Sequence, residues 1–175
     1  MSLLTLPAAD EYAPYYGRYI ARLDGSDVLA LLVSQAASTA KLLAATSETL
    51  AMHRYAEGKW SVKEVIGHLA DGERIFAYRA LRFARNDATE LPGFEENAYV
   101  PEGRFDLRTL KSLAAEFAAV RASTLALFRG LDETALLRRG TANGVGVSVR
   151  ALAAIIAGHE HHHVGLLRER YGLKG

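Results

Sequence analysis

The sequence predicts an all-α fold, a four-helix bundle with long connecting loops, filling residues 1–175 as a single domain. Three observations predict it. Four amphipathic stretches of matched length recur, each opening at a side chain suited to capping a helix. Half of the residues are hydrophobic, enough for a packed core in a chain of this length. Strand signals are sparse, since only Gly144–Val149, GVGVSV, alternates.

The elements follow in order. The N-terminal PYYGRYIARL is expected to add a short helix or a strap. Ser26 is suited to cap a first helix from Asp27 to Leu50. Ser61 and Glu64 form the S-x-x-E capping box of a second, from Val62 to Arg85. Asp106 is suited to cap a third, from Leu107 to Gly130, and Ser148 a fourth, from Val149 to Tyr171, with Gly172 as its C′ glycine. Each spans roughly six turns, or about 35 Å. Two connections are long, Asn86 to Phe105 and Leu131 to Val147, and either is a surface crossover or a binding loop.

Composition excludes several functions. Twenty-one basic against 20 acidic residues leave a net charge of +1, which gives no footprint for nucleic acid. No stretch approaches the roughly 20 apolar residues needed to cross a bilayer, and MSLLTLPAADEY has neither the basic nor the apolar region of a signal peptide. A cytoplasmic protein without nucleic-acid or membrane partners is expected. The absence of cysteine removes disulfides, thiolate metal sites and a protein thiol nucleophile together.

Four of the six histidines fall in Gly158-His159-Glu160-His161-His162-His163-Val164. The run is followed by VGLLRERYGLKG, so it is not a terminal tag. At about 100° per residue, the apolar stripe of the fourth helix runs through Val149, Leu152, Ile155, Ile156, Leu166 and Leu167. His159 and His163 lie near the middle of that stripe, His162 on its flank and His161 on the opposite side. Two inward imidazoles at i and i+4 have the spacing to share a metal ion. The alternative is a pair of core histidines satisfied by hydrogen bonds, which two adjacent rings in an apolar stripe find hard to arrange. His159-Glu160-x-x-His163 also spells the H-E-x-x-H of a zinc protease. No histidine follows it, and the sole downstream carboxylate, Glu169, is on the same helix. In the second helix His68 sits on the edge of the stripe and can face a neighbour. Glu73 lies inside the stripe and needs a histidine or arginine partner, either to orient a ligand imidazole or as a structural ion pair. His53 lies near a turn and is expected to be exposed.

These residues resemble the DinB/YfiT-like superfamily of four-helix metalloproteins. The resemblance rests on Tyr55, on Gly58-Lys59-Trp60-Ser61-Val62-Lys63-Glu64-Val65-Ile66-Gly67-His68-Leu69, on Asp71 and Glu73-Arg74, and on Gly158-His159-Glu160 with His162-His163. Leu91-Pro92-Gly93-Phe94 fits as well, and the span covers about two thirds of the chain. The resemblance implies a three-histidine metal site at His68, His159 and His163, with Glu73, Asp71 and His162 as candidates to touch the ligand imidazoles. The ion would be divalent, zinc, nickel or iron. It also implies a thiol S-transferase acting on a small-molecule electrophile, with a bacillithiol- or mycothiol-type low-molecular-weight thiol as cofactor. Arg79 is on the same side of the second helix as His68 and could bind a carboxylate of that thiol, although a solvated surface arginine is the simpler reading. A metal-dependent hydrolase and a non-catalytic, stress-response metal-binding bundle are the alternatives. A homodimer is expected from the family and from the alanine-rich faces of the first and third helices. Metal affinity should fall as pH drops through the ordinary imidazole pKa of about 6.5.

Overall fold

Capping side chains decide where the helices begin. The computed structural model describes residues 4–24 and 27–175. In chain order its α-helices are α1 (Gly17–Ile20), α2 (Val28–Ala44), α3 (Glu48–Ala51), α4 (Val62–Ala84), α5 (Glu96–Gly103), α6 (Leu110–Arg129), α7 (Glu133–Leu137) and α8 (Val149–Glu169). A hairpin of β1 (Arg139–Ala142) and β2 (Val145–Ser148) precedes α8. The Ser61–Glu64 capping box is made in full at the start of α4, and Ser148 caps α8 by accepting from the Ala151 amide. Gly172 follows α8 with φ of 73°, a left-handed value that costs glycine nothing.

Three expectations need correction. The first long helix ends at Ala44 rather than Leu50. Thr46 bonds back to the Leu42 carbonyl, and Ser47 caps the separate turn α3. Ser26, expected as the first cap, lies outside the described residues, and Asp27 accepts from the Leu29 and Ala30 amides instead. The third long helix starts at Leu110 under a Thr109 cap. Asp106 cannot cap it because Ser61 Oγ, at 2.5 Å, and Arg54 Nη2, at 2.7 Å, hold its carboxylate. GVGVSV does contain a strand, but its partner Arg139–Ala142 carries no alternation that would reveal it.

α2, α4, α6 and α8 form the four-helix bundle, in the ring order α4–α8–α2–α6. Gln35 reaches Ala157 and Thr39 reaches Glu160, so α2 and α8 run parallel. Val62 to Leu69 pack with Leu110 to Phe117, so α4 and α6 are parallel too. Two consecutive long helices that run parallel require a return along the whole bundle, which is why the α4–α6 connection is long. Leu91 in this return bonds Thr141 and Asn143 of the hairpin region, so the two long connections are pinned together. Among the described residues no helix is long and apolar enough to cross a membrane.

The core is divided. One apolar cluster joins the C-terminal half of α4 (Phe76, Phe83) to the N-terminal half of α8 (Leu152, Ile155). A second joins the N-terminal half of α4 (Val65, Ile66) to the C-terminal half of α8 (Leu167). Between them a buried polar layer crosses the bundle, containing His68, Glu73, Thr39, Arg121, His159 and Glu160. The strap carrying α1 closes over this layer. A Cβ at Gly158 would lie 2.7 Å from the Tyr19 carbonyl, so only glycine lets the strap sit this close to α8.

Candidate metal centre

His68 comes from the second turn of α4, and His159 and His163 from successive turns of α8. The i, i+4 spacing stacks the last two on one face, and the antiparallel α4 brings the first against them. One ligand nitrogen from each ring falls within 4.8 Å of the others. His68 Nε2 and His159 Nε2 are 2.9 Å apart, and ring centroids are 4.6–4.9 Å apart across the three pairs. Among the described residues this nitrogen–nitrogen contact is the only hydrogen bond that any of the three rings makes. Three imidazoles with nitrogens converging on one space, and no donor to them from outside the cluster among the described residues, form a donor set that could hold a divalent ion.

The remaining sequence candidates are placed differently. Glu73 accepts two hydrogen bonds, both 2.8 Å, from Arg121, and so takes the structural ion-pair role rather than contacting an imidazole. Asp71 pairs with Arg74 at the surface. His162 is half-buried, edge-to-face with Tyr19, and its Nδ1 is 3.4 Å from Arg22 Nη1. His161 and His53 are exposed. Glu160, the general base of the protease reading, faces away from the cluster. It accepts from Thr39 Oγ1 at 2.6 Å, and its other oxygen is 2.6 Å from Arg121 Nη2, out of line for a hydrogen bond. Burial, against the pull of Arg121, raises the Glu160 pKa. Arg121 itself is only 1% exposed. Burial opposes its charge, but Glu73 and Glu160 outweigh that and raise its pKa. The sequence reading missed Arg121, although it shares the helical phase of Phe117 and Phe128, inside the apolar stripe of α6.

A family profile described as the DinB superfamily matches residues 10–167. The chain belongs to the DinB superfamily. Two solved structures share the fold of this DinB-superfamily chain. YfiT from Bacillus subtilis, described as a probable metal-dependent hydrolase with an unusual four-helix bundle topology, aligns with a TM-score of 0.74 at 19% identity, covering 98% of this chain and 99% of that one. A mycothiol-dependent maleylpyruvate isomerase aligns with a TM-score of 0.65 at 16% identity, covering 78% of this chain and 58% of that one. No curated protein matches by sequence.

In this DinB bundle a cavity of about 160 Å³ opens beside His68 and His159, walled by Tyr16, Tyr19, Phe76, Phe94 and Arg79. Arg79 is not a surface arginine: it is 4% exposed, because Phe94 and Pro92 of the α4–α6 return fold over it. Nη2 donates to the Pro92 carbonyl at 2.7 Å, and the guanidinium carbon is 5.8 and 5.9 Å from the Phe76 and Phe94 ring centres. Burial lowers its pKa, and the neighbouring Tyr16 partly offsets this.

Burial also controls the imidazoles. It pushes His68 down to about 4 and His163 to about 3, with the other rings adding repulsion at His163. His159 is driven well below its ordinary value by burial first and then by His163 and His68. All three are therefore neutral, the form that binds metal, well below pH 6.5. Proton competition thus sets in at lower pH than an ordinary imidazole would give. The same shifts make metal-free stability pH-dependent. Between the unfolded pKa of about 6.5 and the folded values the unfolded chain binds more protons, so stability falls as pH drops through this window. The expected result is a lower urea midpoint for chelator-treated protein at about pH 5 than at about pH 7.5. An equal or higher midpoint at the lower pH would contradict the burial of neutral rings.

Proposed function

We propose that this chain is a metal-dependent enzyme, with His68, His159 and His163 holding a zinc, nickel or iron ion, and that it acts in the cytoplasm as a small-thiol-dependent S-transferase. The observation that carries the reading is the convergence of three neutral imidazoles beside a cavity containing a buried guanidinium with unused N–H groups. A divalent ion bound there supplies the positive charge that lets a thiol ionise near neutral pH. Arg79 binds a carboxylate of the thiol and orients it, with Phe76 and Phe94 holding the guanidinium plane. Tyr16, Tyr19 and Phe94 exclude water from the cavity. In the transfer the thiol loses its proton, a sulfur–carbon bond forms, and the leaving group departs with its electron pair and takes up the proton. The chain has no cysteine, so the thiol is external. The mycothiol dependence of one structural neighbour is in keeping with this chemistry.

A metal-dependent hydrolase is the second reading. YfiT, described as a probable metal-dependent hydrolase, aligns over nearly the full length of both chains.

The test begins with metal analysis of protein purified without a metal-affinity column, followed by turnover of an electrophile panel with and without a low-molecular-weight thiol. The expected result is a bound divalent ion and thiol-dependent turnover. Chelation should abolish turnover while far-ultraviolet circular dichroism stays near its starting value, because two apolar clusters hold the helices without the ion. Thiol-independent turnover would favour the hydrolase, and no turnover with metal bound a non-catalytic bundle. An unchanged rate in metal-stripped protein would overturn the catalytic role of the metal.

A further inference from the structure

The three imidazoles border two cavities. The first, beside Arg79, touches His68 and His159. A second, of about 210 Å³, touches His163 and is walled by Tyr55, Trp60 and Tyr171, with Lys59 and Asn97 at its edge. The two adjoin along the α4–α8 seam, on either side of the imidazoles. On α4 the second cavity meets Val65 and the first meets His68, Phe76 and Arg79, so the two adjoin within one helical turn. On α8 the order is reversed, with His159 at the first cavity and His163 and Leu166 at the second. Consecutive residues of α5 divide them, since Glu96 lines the first and Asn97 the second.

We infer that the second cavity is the binding site for the electrophile, and that it takes a small, single-ring aromatic compound bearing an anionic group. The inference rests on the proposed thiol transfer for the word electrophile, but not for the ligand class. The walls decide the ring. Tyr55 and Tyr171 meet edge-to-face at 4.9 Å, and the Tyr171 hydroxyl donates to the Trp60 carbonyl at 2.8 Å, which holds the three aromatic walls of the slot in place. Its volume exceeds the roughly 150 Å³ that suffices for benzene. Charge decides the substituent. Lys59 is exposed and has no carboxylate partner among the described residues, and no acidic residue lines the cavity. An aromatic box of this kind suits cations in the absence of a competing charge, but the Lys59 ammonium repels a cation and attracts an anion. Trp60 also packs against His68, ring centres 4.8 Å apart, so a ring in the slot would lie next to the imidazole cluster.

The sole tryptophan of the chain is Trp60, so its fluorescence reads this cavity directly. Benzoate titrated into the metal-free protein should change that fluorescence saturably. Lys59→Gln should weaken benzoate about tenfold while leaving benzyl alcohol unchanged. Tyr55→Ala should weaken both ligands, and Arg79→Gln should weaken neither. Lys59 and Tyr55 are exposed, so circular dichroism should be the same in these variants as in the parent. Absence of saturable benzoate binding overturns the inference. So does benzoate affinity that is lost in Arg79→Gln and kept in Lys59→Gln and Tyr55→Ala, which would put the ring in the first cavity. Neither metal nor thiol takes part in this titration. A failure of thiol dependence therefore leaves its result standing, and a failure here leaves the thiol reading to its own assay.

Discussion

Replacing His68, His159 or His163 by alanine should weaken binding of a divalent ion by more than about 100-fold in each case, whereas His161→Ala should leave it unchanged. Loss of a residue that only orients a ligand costs about 10- to 100-fold, and loss of the ligand itself should exceed that. The contrast with His161 is the informative part. It lies in the same run of four, two residues from both His159 and His163, but its side chain is exposed while theirs converge with His68. Isothermal titration with zinc, on protein freed of metal by chelation, checks all four variants. Circular dichroism on the same samples separates lost ligation from lost fold. If His161→Ala loses the ion while His163→Ala keeps it, the ion is held outside the bundle.

The second large effect is on stability. Arg121→Met should lower unfolding free energy by about 3–5 kcal/mol, because it strands two carboxylates that the guanidinium now faces. From α6, Arg121 reaches the other three helices of the bundle at once: Glu73 on α4, the Leu32 carbonyl on α2 and Glu160 on the diagonal α8. Removing it leaves Glu73 and Glu160 buried and close, with only Thr39 still donating to the latter. Adding Glu73→Leu and Glu160→Leu to Arg121→Met should recover most of the loss, since an apolar replacement of a whole buried ion group is often neutral or stabilising. Urea denaturation of the single and triple variants measures both. A cost below about 1 kcal/mol for Arg121→Met would mean that the three groups interact no more strongly than surface charges do.

Local signals were the legible part of the sequence. Ser61 with Glu64, and Ser148, gave the starts of α4 and α8 because each cap depends on residues three positions away. The phase of the final helix separated inward His159 and His163 from outward His161 for the same reason. Where distant contacts decide, the reading went astray. Asp106 has the chemistry of a cap, but Arg54 and Ser61, 52 and 45 residues away, hold it elsewhere. The apolar pattern of α2 continues past Ala44, and nothing in it announces that Thr46 and Ser47 break the helix. Arg79 reads as a surface residue until Pro92 and Phe94 cover it. The phase of Glu73 alone demands a partner across the bundle, and Arg121, in phase with Phe117 and Phe128, is that partner through a contact 48 residues away in sequence.

The pinning of the two long connections bears on how such a protein can diversify. The three histidines stand on α4 and α8, in a layer enclosed by two apolar clusters, whereas Gly93, Phe94, Glu96, Asn97 and Asn143, which border one cavity or the other, lie off the four bundle helices. The strand-like bridge between Leu91 and Ala142 ties the α4–α6 return to the hairpin, so the two can shift as one rim above a fixed floor. Exchange of residues in that rim would alter what is admitted without moving an imidazole or opening the core. A bundle of this construction can change its clientele by editing the rim alone, and grafting residues 86–105 together with 138–147 from another member of the superfamily is the natural unit for transplanting selectivity.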